Sequence, residues 1–350
     1  MPLKRSLSML ALTATAAALL VGCSSNSPEA PEAATGEKVS DGEFTLYSGR
    51  NEELVQPLID MFEEQSGIAV DVRYGDTAEL SALLMEEGEQ TPAQVFLSQD
   101  AGALGALADG GLFATLPREI TERVTPGFTS TDDMWVGVTG RARVIVFDSN
   151  ELSPADVPTS VDSFTDPVWA DRLGIAPGNA SFQSFVTAYR ELNGESEADE
   201  WVKSIAANEP QLFDSNGAIL SAVNDGVVDA GLINHYYWFR LASELGESNM
   251  RAQLAFPEAG DAGSIVNVTG AGILSSASTD ADALEFIDFL LSPRAQEYFV
   301  AETFEYPLIE GVAAPEGLPG LDTLVNPELD LGDLKSLAAT QELLQKYGLI

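Results

Sequence analysis

"EFTLYSGRNEELVQPLIDMFEEQSGIAVDVRY", residues 43–74, reads as strand, helix, strand. "EFTLYS" alternates apolar and polar residues with period two, as a strand does. "EELVQPLIDMFEEQSG" spaces its apolar residues as a helix does and closes on Gly67, a residue type suited to the left-handed conformation that ends helices. "IAVDVRY" returns to the strand pattern. The alternation continues: "TAELSALLMEEG" reads as a helix with Thr77 as its N-cap, "AQVFLS" as a buried strand, and "DAGALGALADGG" as a helix that stops at paired glycines. A chain that alternates strand and helix builds a parallel or mixed sheet covered on both faces, so the fold class is α/β.

In such sheets ligands bind beyond the carboxyl ends of the strands. Three polar clusters fall at those points: Tyr47-Ser48-Gly49-Arg50-Asn51, Ser98-Gln99-Asp100, and Asn234-His235-Tyr236-Tyr237. "TGRARVIVF" sets Arg141 and Arg143 two residues apart on a strand, hence on one face, where they can neutralise an anion. Adjacent phenols need a particular backbone to act together. Consecutive side chains leave a strand on opposite faces and a helix about 100° apart, so a junction between elements is expected at Tyr236-Tyr237. From the residues alone, the pair is either two aromatics packing a domain edge or two oxygen ligands.

The chain starts with "MPLKRSLSMLALTATAAALLVGC", a basic start followed by an apolar run and Leu20-Val21-Gly22-Cys23. This resembles a lipoprotein signal peptide over residues 1–22 with Cys23 as the lipidated first residue of the mature chain; the alternative is an ordinary secretory signal with an incidental cysteine. Both export the protein. Cys23 is the only cysteine, so the mature chain is expected to have no disulfide, thiolate metal site or cysteine nucleophile. Residues 23–41, rich in Ser, Pro, Ala and Glu, read as a disordered tether, with folding expected from near Phe44. The roughly 300 residues that follow exceed a comfortable single core, which favours two domains. With 55 acidic residues against 17 basic ones, the net charge is −38. Such a field repels nucleic acid and anionic membrane surfaces, although a local pocket can carry the opposite sign.

"LYSGRNEELVQPLIDMFEEQSGIAVDVRYGDTAEL", "TPAQVFLSQDAGAL", "WVGVTGRARVIVF", "NHYYW" and "EYPL" occur in the order and spacing of ferric-iron substrate-binding proteins of ABC importers, the bacterial transferrin-like family, which this chain resembles over nearly its whole mature length. The resemblance implies a two-domain periplasmic-binding-protein fold of type II. One lobe would take residues 42–142 and 266–317, the other 143–265 and 318–350, with "RARVIVF" and "SIVNVTG" crossing between them and the ligand in the cleft. It implies an extracytoplasmic, lipid-anchored, monomeric protein that delivers iron(III) to a permease.

In that family the adjacent tyrosines ligate iron, here Tyr236 and Tyr237. Iron(III) is a hard cation that prefers anionic oxygen, and a bound metal can deprotonate a phenol. Many members have a histidine where this chain has Asn51 and a glutamate where it has Gln99. Neutral amides are poor iron(III) ligands but can hydrogen-bond a coordinated water or anion. Two phenolates leave one positive charge on iron(III), so a further anion is expected, carbonate or phosphate from solution or a third protein oxygen. Tyr47 is the preferred protein oxygen, or else a core aromatic of the first strand; Glu52 and Asp100 are weaker choices, since carboxylates that open helices usually answer the helix dipole. Asn179, Ser181 and Asn216 align with family positions that bind the synergistic anion, and Arg141, Arg143 or Arg50 can supply charge; ordinary turn and capping roles are the alternative for these polar residues. His235 is expected to pack or start a helix, and "EYPL" to be scaffold.

Two other functions fit the sequence. One is a protein of the same fold for an organic or oxyanion solute such as a phosphonate, polyamine or thiamine. The other is an exported carboxylate-based hydrolase, although the chain has a single histidine and no Gly-x-Ser-x-Gly or HExxH motif.

Overall fold

The computed structural model describes residues 39–324 and 329–350. The expected signal peptide, Cys23 and the tether up to residue 38 lie outside the described residues. The first stretch runs β1 (Glu43–Ser48), α1 (Glu52–Ser66), β2 (Ala69–Tyr74), α2 (Thr77–Glu87), β3 (Val95–Ser98) and α3 (Ala101–Asp109). After α4 (Arg118–Thr121) comes the long strand β4 (Val136–Asp148), then β5 (Leu173–Ile175), α5 (Ala180–Asn193), α6 (Glu195–Ala207), β6 (Gln211–Leu212), α7 (Asn216–Asn224), β7 (Ala230–Asn234) and α8 (His235–Leu245). The rest comprises β8 (Ala252–Ala255), β9 (Val266–Ile273), α9 (Ala281–Leu290), α10 (Pro293–Tyr298), β10 (Tyr306–Pro307) and α11 (Leu337–Lys346).

The expected α/β architecture is present, with a mixed sheet in the order β2-β1-β3-β9-β4-β7-β5-β6 and with β8 and β10 also paired to β4. Parallel pairing joins β1 to β2 and β3, and β5 to β6 and β7; β4 and β9 run antiparallel to their neighbours. The organising element is β4, which is buried along its whole length. Residues up to Ala142 pair with β9, and from Arg143 onward the strand pairs with β7 and β8. Thr139, Arg141 and Arg143 alternate onto one face. Two aromatic clusters fill the core: Phe44, Phe62, Phe286 and Phe289 on one side, and on the other Phe182, Phe185, Tyr189 and Trp201, of which the first two rings lie 5.7 and 5.6 Å from the Arg143 guanidinium.

Local details refine the expectations. Helix α1 ends at Gly67 with φ 76°, its N–H returning to the Glu63 carbonyl. The N-cap of α2 is Asp76 rather than Thr77: the aspartate accepts from the Ala78 and Glu79 amides, which its shorter reach from the preceding position allows. Thr77 instead staples two loops, its hydroxyl donating to the Gly49 carbonyl and accepting from the Gln99 amide. The chain is also engaged earlier than Phe44. Val39 forms a bridge beside Asp280, and the Asp41 and Gly42 amides donate to Asp282.

The C-terminal segment reaches both halves of the sheet. Residues 331–335 lie along α3, with Lys335 paired to Asp109 at 2.7 Å, while Arg190 of α5 donates to Ser336 and to Thr340 of α11. The approach to α3 depends on its missing side chains: a Cβ at Gly105 would lie 2.2 Å from the Gly332 carbonyl oxygen. Gly105→Ala is therefore expected to destabilise the fold by about 1–3 kcal/mol, through overpacking against rigid backbone. The check is urea denaturation, in which the midpoint should fall at unchanged slope.

Candidate functional site

Strand β7 ends at Asn234 and α8 begins at His235, so Tyr236 and Tyr237 occupy the first helical turn. Their rings stack, with centroids 4.4 Å apart and planes 28° from parallel. The pair thus sits at the expected junction between elements, and the backbone there is a regular helix start. First-turn side chains have no preceding helical turn to clash with, which widens their choice of rotamer. Tyr236 is buried and Tyr237 half-buried. Burial, reinforced by Tyr237 and Glu305 and opposed by Arg141, pushes the Tyr236 phenol well above its ordinary value.

His235 is turned away from this chemistry. Its Nδ1 accepts the Ala142 N–H at 3.1 Å and its Nε2 lies 2.8 Å from the Phe304 carbonyl, so both ring nitrogens serve the backbone. Burial pulls its pKa down to about 4, leaving the ring neutral near pH 7.

The residues expected to bind an anion are brought together in one hydrogen-bond network. Arg143 Nη1 donates to Ser181 Oγ (3.2 Å), Asn216 Oδ1 (3.1 Å) and Asn234 Oδ1 (3.4 Å), and Nη2 to the Leu232 carbonyl (2.7 Å). Asn216 Nδ2 donates in turn to Asn179 Oδ1 and Ser181 Oγ. Asn179 caps α5, Asn216 opens α7 and Asn234 precedes α8, so three helix N-termini point their partial positive charge at one spot. All hydrogen-bond partners of Arg143 are neutral. Burial lowers its pKa to about 9, with both tyrosines working against that shift.

Two more guanidinium groups stand nearby. Arg141 Nη2 donates to the Val268 carbonyl at 3.1 Å, and Arg50 Nη2 to Glu305 Oε1 at 2.7 Å. The Nε atoms of Arg50, Arg141 and Arg143 are all buried without a hydrogen-bond partner. Arg50 and Arg143 are within electrostatic reach of both phenols, and Arg141 of Tyr236. Sequence reasoning missed Glu305, which belongs to the stretch read as scaffold. Thr139 Oγ1 donates to its other oxygen. Burial works to raise its pKa, but Arg50 and Arg141 outweigh that and hold the carboxyl below its ordinary range. A lone carboxylate between Phe304 and Tyr306 was the available signal, since a charge in an apolar run must find a partner when buried.

The remaining expected residues divide. Gln99 and Asp100 face Arg141, Arg143, Ser181, Asn234 and Asn267 across a small cavity of about 20 Å³, enough for one water-sized group. Asp100 caps α3 through the Ala103 amide, and burial raises its pKa. Asn51 and Glu52 are exposed at the start of α1, where the Asn51 side chain makes no capping bond and is free for a ligand. Tyr47 is held elsewhere: its hydroxyl lies 3.3 Å from both Glu87 carboxylate oxygens and from Arg73 Nη1, and Arg73 covers its ring.

Among the described residues, no three His, Cys, Asp or Glu side chains gather as a metal site. The oxygen donors that the arrangement offers a hard cation are the two phenols. Two phenolates leave iron(III) with one positive charge, and three guanidiniums with one carboxylate add two more. Asp100, whose pKa burial raises against the pull of the Ala103 amide and Arg141, offsets at most one of these charges, so the site suits a cation accompanied by a multivalent anion.

Comparison with known proteins agrees with this chemistry. Residues 90–326 match the family model described as bacterial extracellular solute-binding protein. The major ferric iron-binding protein of Neisseria meningitidis serogroup B is 32% identical over 311 residues, covering 88% of this chain and 93% of that one. The Fe(3+)-binding periplasmic protein of Serratia marcescens is 32% identical over 312 residues, covering 89% and 92%. Iron-bound HitA from Pseudomonas aeruginosa superposes with a TM-score of 0.80 at 31% identity, over 87% of this chain and 99% of that one. The fold is the two-lobe periplasmic-binding-protein fold of type II, and the chain belongs to the bacterial extracellular solute-binding proteins, among their ferric-iron-binding members.

Proposed function

We propose that this protein is an extracytoplasmic carrier that takes up iron(III) through Tyr236 and Tyr237 together with a synergistic anion, and delivers it to the permease of an ABC importer. The observation that carries the reading is the stacked phenol pair set beside three buried guanidiniums, of which Arg50 alone forms an ion pair with a described residue. The names of the ferric-binding relatives support the choice of metal. The anion, carbonate or phosphate, sits on Asn179, Ser181, Asn216 and Arg143, with Arg141 balancing its charge and the amides of Asn51 and Gln99 as outer hydrogen-bond donors. Because Tyr47 is engaged by Glu87 and Arg73, the anion rather than Tyr47 supplies the third oxygen in this reading.

The lobes of this reading are residues 42–142 with 266–317, and 143–265 with 318–350. Support comes from β4, which changes partners between Ala142 and Arg143. Closure about β4 and β9 would trap the metal and present a closed, monomeric shape to the permease. The reading is of a carrier, not an enzyme: the one histidine has both nitrogens on backbone groups. A metal-free oxyanion carrier is the second reading, favoured specifically by the Arg143 network.

Replacing both tyrosines by phenylalanine keeps the rings and deletes the oxygens. The double variant is expected to fold, yet lose the visible phenolate-to-iron band and at least about a hundredfold of iron affinity, as losing ligands outright should exceed a support-residue effect. Unchanged iron affinity would leave the oxyanion reading standing.

Iron must displace the phenol protons, and burial strengthens the hold on that of Tyr236, so affinity should rise with pH and fall on acidification. An iron titration across the pH range, with proton release followed in weak buffer, checks the sign. In phosphate-free buffer depleted of bicarbonate, affinity should drop and recover on adding either anion; identical spectra in every condition would remove the anion from the site.

Cys23 is proposed to carry the lipid anchor, each buried methylene contributing about 0.8 kcal/mol. Cys23→Ser should release the protein from washed membranes, as fractionation and immunoblotting would show.

A further inference from the structure

We infer that Glu305 is a positioning residue for iron capture: it holds the Arg50 guanidinium beside the tyrosine pair and acts through that arginine, without touching the metal. The inference rests on the ferric reading and adds to it a residue outside the ligand set.

The geometry is specific. Glu305 is 1% exposed and each of its carboxylate oxygens has a donor, Arg50 Nη2 at 2.7 Å on one and Thr139 Oγ1 on the other. Arg50 has no other ion pair among the described residues, and its Nε is buried without a partner. A long side chain on the loop after β1 has many rotamers, and one carboxylate selects among them. Glu305 is placed by its neighbours. Phe304 adopts a left-handed backbone, φ 58°, its carbonyl lies 2.8 Å from His235 Nε2, and Tyr306 pairs with Gly140 of β4. One three-residue segment therefore touches the start of the helix that carries the tyrosines and also fixes an arginine within electrostatic reach of both phenols.

The test uses the full-length protein, with Glu305→Gln, Arg50→Gln and the combined variant titrated with iron(III) in bicarbonate buffer and melted in parallel. Glu305→Gln is expected to weaken iron binding about tenfold, the size usual for residues that support a metal site from behind. The combined variant should bind no more weakly than Arg50→Gln, because the glutamate's effect passes through the arginine. Losses that multiply in the combined variant, or a Glu305→Gln protein that melts earlier but binds iron like the parent, would overturn the inference. If Glu305→Gln does not fold, Thr139→Val frees one carboxylate oxygen without stranding a charge. It should weaken iron binding by a smaller factor, and parental affinity would count against the role. Should the double phenylalanine variant keep its iron, the ferric reading itself fails; should it lose iron while Glu305→Gln matches the parent, only this inference falls.

Discussion

Three buried arginines near two phenols, only one of them ion-paired among the described residues, are the constraint from which the rest of the site follows. A buried guanidinium is costly unless charge and hydrogen bonds compensate it, and here the compensation is incomplete. Arg50 is matched by Glu305, whereas Arg143 has only neutral partners and all three Nε atoms are idle. The helix starts of α5, α7 and α8 add positive potential to the same place. A chain of net charge −38 has thus concentrated scarce cations in one interior well. Such a well attracts negative charge, and the phenols beside it would supply it when a bound metal takes their protons.

The fold makes this arrangement through one strand. Thr139, Arg141 and Arg143 share a face of β4, and cross-strand partners put Asn267 opposite Arg141 and Asn234 opposite Arg143. Because β4 is hydrogen-bonded first to β9 and then to β7, its side chains span the point where the two parts of the sheet meet. The Arg143 network and the Glu305 contacts hang from neighbouring positions on the same rigid element, so changes in how the parts of the sheet meet would be felt by both.

Much of this was legible in the sequence because it depends on local periodicity. Strand and helix alternation, the stop at Gly67 and the shared face of Arg141 and Arg143 follow from spacing alone. The adjacency of Tyr236 and Tyr237 was legible too, but their ligand role and the grouping of Asn179, Ser181 and Asn216 came from resemblance; the structure joins those three side chains to Arg143. Distant pairings were not legible. Arg50 and Glu305 are 255 positions apart, and no local pattern couples them. Likewise the alternation of β1 gives Tyr47 a face but not its partners; Arg73 on β2 and Glu87 on α2 decide those. The Asp76 cap was missed because adjacent Asp and Thr can both cap, and only tertiary contact shows that Thr77 is occupied with Gly49 and Gln99.

The most direct test is a crystal structure of the protein grown with iron(III) and bicarbonate. Both Tyr236 and Tyr237 oxygens are expected on the metal, with an anion bridging it to Arg143, Ser181 and Asn216. Iron bound away from the tyrosine pair, or an anion in that network with no metal beside it, would contradict the account.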